Sequence, residues 1–101
     1  MSNPGQRSRF ESLLRSGEFV LTCELGTIDS ADPDSVCKAA ELLHGAVDAI
    51  NCTDNAAARP HLSQVAAARL LIEQGFEPIV QFGCRDRNRL ALQADMLGAA
   101  A

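Results

Sequence analysis

Three short apolar runs, each followed by a stretch of helical period, constrain this chain more than any other feature of its 101 residues. The runs are EFVLTCEL (18–25), VDAINCT (47–53) and EPIVQFGC (77–84). Their apolar and β-branched content suits strands buried by neighbours on a parallel sheet. After the first, DPDSVCKAAELLHG (32–45) carries a full set of helix signals: Asp32 as N-cap, Pro33 at N1, Asp34 in the positive first turn, and Gly45 past the last. Val36, Ala39, Ala40 and Leu43 form its expected inner stripe. After the second run, LSQVAAARLLIEQG (62–75) is expected as a helix with Leu62, Val65, Ala68 and Ile72 inward and Gly75 as its stop. The third run leads into CRDRNRLALQADMLGAAA (84–101), a helix expected to pack through Leu90, Ala94 and Leu97.

Strand–helix units recurring at about 30 residues have the size of βαβ units, whose crossovers imply a parallel sheet. The fold class is therefore α/β. A short amphipathic helix from about Ser8 to Ser16, with Phe10, Leu13 and Leu14 on one face and Gly17 at its end, precedes the first strand; residues 1–7 read as a flexible tail. Three units are few for a closed (β/α)8 barrel, which takes about 250 residues. Left alone they would expose strand edges and an apolar face. A small open α/β domain is one reading; the expectation is that residues 8–101 form the N-terminal portion of a TIM barrel, three βα units and a leading helix, truncated inside its third unit.

Charge and cysteine usage narrow the function. The net charge is −4, and the basic residues stand singly outside the segment from Arg85 to Arg89. No basic stripe exists for nucleic acid or an anionic membrane. The opening MSNPGQRSRF has no apolar signal core, and no run approaches membrane-span length. A cytoplasmic location is expected, with the four cysteines reduced. They form no C-x-x-C pair, and no metal site is expected.

Side chains alternate across a strand, so each run has two faces. Leu21, Cys23 and Leu25, Ile50 and Cys52, and Val80, Phe82 and Cys84 share the face suited to helices. The other face becomes polar near each strand's carboxyl end, through Thr22 and Glu24, Asn51 and Thr53, and Gln81. Parallel α/β proteins build their sites at that end. A carboxylate at Glu24 suits a general acid, or else pairs with an Arg or sits exposed at the rim. Asn51, Thr53 and Gln81 can hydrogen-bond a flat polar ligand, or are simply satisfied polar groups. The cysteines read as small apolar residues, and His44 and His61, each alone, carry no assigned role. The Arg85–Arg89 segment is either an anion site at a helix start or a solvated start capped by Asp86 or Asn88 with Arg–Asp pairing.

The order of EFVLTCEL, VDAINCTDN and LLIEQGFEPIVQFGCRDRNRLALQADMLGA resembles the N-terminal part of the methylenetetrahydrofolate reductase family, from about Ser8 onward. The resemblance implies a (β/α)8 barrel that binds FAD, accepts hydride from NAD(P)H and reduces 5,10-methylenetetrahydrofolate to 5-methyltetrahydrofolate in one-carbon and methionine metabolism. It places Glu24 as the general acid on the folate and Thr53, with Gln81, beside the cofactor; Asn51, on the same polar face, is assigned to the substrate. A homo-oligomer of the full-length protein is compatible with it. The loop ELGTIDSADPD lacks the Pro pair common in the family, and no Gly-Asp turn contacting flavin follows, so the fragment alone is expected to be inactive. The alternatives are a pterin-binding or corrinoid-linked methyltransferase barrel, and a non-catalytic interaction module.

Overall fold

The computed structural model describes residues 7–101, so the tail expected over 1–7 lies, apart from Arg7, outside the described residues. The order is α1 (Arg9–Ser16), β1 (Thr22–Leu25), α2 (Pro33–Ala40) tightening into a 3-10 turn (Glu41–Leu43), β2 (Ala49–Cys52), a short turn (Ala56–Ala58), α3 (Gln64–Glu73), β3 (Pro78–Val80) and α4 (Arg89–Ala100). The strands form one parallel sheet in the order β1-β2-β3. This is the expected α/β alternation: a small α/β domain of three parallel strands and four helices.

Helix starts follow the local signals. Ser8 accepts from the Glu11 N–H at 3.1 Å, Asp32 from the Asp34 N–H at 3.0 Å and Asn88 from the Ala91 N–H at 2.9 Å, each satisfying a donor the helix itself leaves free. Gly17, Gly45 and Gly75 take positive φ at or just beyond the ends of α1, the 3-10 turn and α3.

The regular strands are shorter than the apolar runs. Before β1, the Asp48 carboxylate accepts the Leu21 N–H at 2.9 Å while the Asp48 N–H donates to the Leu21 carbonyl at 2.7 Å. A side chain thus replaces a ladder partner at the amino-terminal end. The same end holds α1: Arg9 pairs with Asp48 at 3.1 Å, and Glu77 accepts the Phe10 N–H at 2.9 Å. Asp48 and Glu77 each stand one residue before a strand, and Glu77 meets the positive start of α1. Phe76 there stacks on His44 with ring centroids 4.2 Å apart.

One core lies on one side of the sheet. Leu25, Ile50 and Cys52 from the strands meet Val36 and Ala40 of α2 and Ala67, Ala68 and Leu71 of α3, with Cys23 and Val80 packed against them. Ile50, Leu71 and Val36 are fully enclosed. Each such side chain is worth about 1.5–3 kcal/mol of burial.

Several expected contacts are corrected. In α3 the buried stripe is Gln64, Ala67, Ala68 and Leu71, while Ile72 is 52% exposed and Val65 only half-buried. The helix is apolar nearly all round, and packing against α2 and β3 selects a stripe one position away. In α4, Leu90, Ala94 and Leu97 face solvent, and Ala91, Leu92 and Asp95 turn inward. The ion pair from Arg87 to Asp95, at 2.9 Å, fixes that rotation. Ala39, Leu14 and Leu21 are exposed as well. Cys84 is exposed because β3 ends at Val80 and leaves it in the following loop.

Candidate functional site

The sheet face opposite α2 and α3 carries the polar residues singled out from the sequence. Glu24 pairs in register with Asn51, and Asn51 with Ile79, so these three form one row across the sheet. The Gln81 N–H donates to the Cys52 carbonyl at 3.2 Å, extending the β2–β3 register one step and setting Gln81 beside Thr53. Residues two apart along a strand share a face, so the Thr53–Gln81 step lies on the carboxyl side of the Glu24–Asn51 row. Glu24 is exposed, not enclosed; Asn51, Thr53 and Gln81 are half-buried. The Asn51 amide donates to the Cys23 carbonyl at 3.4 Å, which turns its donor end toward β1. Directly opposed residues on paired strands interact through their side chains, so the Glu24 carboxyl and the Asn51 amide share one patch.

Just beyond this patch stands a residue that sequence reasoning passed over. Asp54, its side chain 5% exposed, takes two bonds from the Arg87 guanidinium and a third, at 2.6 Å, from the Gly83 N–H. The Arg87 bonds, with help from the Gly83 amide, hold the Asp54 carboxyl below the usual carboxylate range against the opposing effect of burial. Arg87 continues to Asp95 and to the Gly83 carbonyl. A Cβ at position 83 would stand 3.2 Å from an Asp54 oxygen, so the close approach suits glycine. The network fastens the loop after β2 to the loop after β3. Arg85 adds a bond to the Asn55 carbonyl at 3.3 Å and pairs with Asp86. Arg85 and Arg87 are therefore spent on loop–loop pairing, with Asn88 as the cap. The signal was in the sequence: an Asp directly after one strand and an Arg-rich stretch directly after the next.

The loop after β2 also carries strain. Asn55, Ala57 and Ala58 have φ of 45°, 58° and 55°. Asn tolerates this left-handed region, but for alanine it costs about 1–2 kcal/mol per residue. His61 braces the turn. Its Nδ1 meets the Asp29 carboxylate and its Nε2 lies 3.0 Å from the Ala56 carbonyl, while its own N–H donates to Asn55 Oδ1 at 3.4 Å. The Asp29 bond, then the Ala56 bond, raise the imidazole pKa above its ordinary value. An open groove of about 730 Å³ runs alongside, lined by Thr27, Asp29, Ser30, Arg59 and His61 among others. With both ring nitrogens engaged, His61 is a brace and not a free base. His61, expected to stand alone, is thus paired, and Asp29 was not singled out from the sequence, because the pairing spans 32 residues of chain.

No family model, curated protein or solved structure matches this chain. Its functional reading rests on the residues themselves. Among the described residues, no group of three or more His, Cys, Asp or Glu side chains is placed to hold a metal ion, and no helix is long and apolar enough to cross a membrane. Cys52 is sealed in the core, where burial pushes its thiol up to about 11.

Proposed function

We propose that this chain provides the first three βα units of a (β/α)8 barrel of the methylenetetrahydrofolate reductase kind, a cytoplasmic flavoenzyme reducing 5,10-methylenetetrahydrofolate with NAD(P)H. The observation that carries the reading is the polar patch of Glu24, Asn51, Thr53 and Gln81 on the helix-free face of a parallel sheet, at its carboxyl end. A barrel lines its interior with that face and places its site at that end. The sequence resemblance supplies the chemistry and gives the Glu24 carboxyl the part of the proton donor that opens the folate ring.

The donor set fits a flavin in kind. Thr53 and Gln81 offer an uncharged hydroxyl and an amide, which match the alternating carbonyl and N–H edge of an isoalloxazine without imposing charge, and Asn51 is left to the substrate. Bound there, FAD would supply hydride transfer. Glu24 would deliver its proton to the folate nitrogen that leaves as the imidazolidine ring opens. The Asp54–Arg87–Asp95 network contributes by holding the loops on either side of the patch in place.

The test is direct. The product of the whole reading frame containing these residues, purified, should be yellow with oxidised flavin absorbance and should bleach anaerobically when NADH or NADPH is added. A colourless protein that takes up no added FAD would refute the proposal, and one carrying a corrinoid would point to the methyltransferase barrel instead.

A further inference from the structure

The two nitrogens of the His61 ring both face oxygen acceptors: the carboxylate of Asp29 on the β1–α2 loop, and the carbonyl of Ala56 inside the left-handed turn. A neutral imidazole has one N–H and one lone pair. It can satisfy only one of these oxygens and must turn its lone pair on the other. An imidazolium satisfies both. Only 11% of the His61 side chain is exposed, so burial by itself opposes the cation, and it is the two facing oxygens that favour it. Beside it, the Leu62 N–H donates to the Ile28 carbonyl at 2.7 Å, so the same two loops are joined by main chain as well.

From this geometry we propose that His61 is a pH-sensitive latch: protonated, it clasps the β1–α2 loop to the strained turn at 55–58, and on losing its proton it releases that turn and widens the groove between the two loops. The turn has reason to move. Ala57 and Ala58 sit at positive φ, and the Ala56 carbonyl is held by the Nε2 bond at 3.0 Å and by the longer bond from the Arg59 N–H at 3.3 Å.

The charged groups around the ring agree with this assignment. Asp29, from the β1–α2 loop, favours the cation, while Arg59, on the same loop as His61, disfavours it. Arg85 reaches the neighbouring Asn55 carbonyl from the β3–α4 loop but is itself neutralised by Asp86. Cys52, which borders the narrow interstice behind the ring, stays a neutral thiol. The net effect raises the folded-state pKa above the unfolded value. The latch is therefore complete below the unfolded imidazole value of about 6.5 and is lost as pH rises through the higher folded value.

The test uses wild-type protein first. Nitrogen-15 ring shifts of His61 should show both nitrogens protonated at about pH 6 and a titration midpoint above about 6.5. Protection factors of the 55–59 amides, corrected for intrinsic exchange, should fall at least about tenfold across that midpoint, the effect of losing one hydrogen bond to a charged group. In Asp29→Asn the midpoint should drop, and in His61→Gln the protection should be low and indifferent to pH. A wild-type midpoint at or below the ordinary value, or protection of the turn that does not change across it, would overturn the latch. The wild-type measurements alone decide this if either variant fails to fold.

Discussion

The carboxylate of Asp54 collects two guanidinium bonds and one main-chain bond while almost wholly out of solvent. Removing one member of such a cluster leaves Arg87 partly enclosed with a weaker partner. Asp54→Asn should therefore lower unfolding free energy by about 2–3 kcal/mol in urea titration. Asp95→Asn, at a more exposed position, should cost under about 1 kcal/mol. The pH dependence has a definite sign. The folded pKa of Asp54 lies below the unfolded value. Its contribution is then complete above about pH 4 and is lost as pH falls through the lower folded value. Asp48 behaves likewise, held down first by the Leu21 N–H and then by Arg9. Acid titration of stability should be steeper for the wild type than for Asp54→Asn; equal slopes would show that the Arg87 pair does not persist in solution.

Among the elements, the helix starts were readable because a cap is local: Asp32 needs only Asp34, and Asn88 only Ala91. Which side a helix buries was less readable, because it depends on partners distant in sequence. Leu90 and Leu97 have the spacing of a core stripe, yet Asp95 faces inward because Arg87 reaches it from the preceding loop. Two substitutions separate these cases. Leu71→Ala should cost about 2–5 kcal/mol, whereas Leu90→Lys should stay within about 0.5 kcal/mol of wild type. The left-handed turn was not readable at all, since nothing in the run AAA (56–58) signals positive φ. Ala58→Gly should stabilise the fold by about 0.5–1 kcal/mol, the relieved strain less the added freedom of the unfolded chain. A lower melting temperature for this variant would mean that the turn does not hold residue 58 in the left-handed region.

For the molecule as a whole, the alternation of strand phase settled most of the architecture. Residues of one parity, Cys23 and Leu25 with Ile50 and Cys52, face the helices, so the other parity had to carry the polar patch. That is why Glu24, Asn51, Thr53 and Gln81 could be grouped before any coordinates. The loops could not be derived in the same way. The clasps from Asp54 to Arg87 and from Asp29 to His61 cross between βα units and depend on how neighbouring strands are set. The sheet leaves β1 and β3 as edges, and Phe19 is 90% exposed beside β1.

The role proposed for Glu24 is that of proton donor in a flavin-dependent folate reductase. It is tested most directly by following the two half-reactions of Glu24→Gln in stopped flow, using the product of the whole reading frame. Flavin reduction by the nicotinamide nucleotide should proceed at the wild-type rate, while reoxidation of the reduced flavin by 5,10-methylenetetrahydrofolate should slow by about 10²–10⁴-fold, the usual contribution of a general acid. Reoxidation by the folate at an undiminished rate would contradict the role given to Glu24.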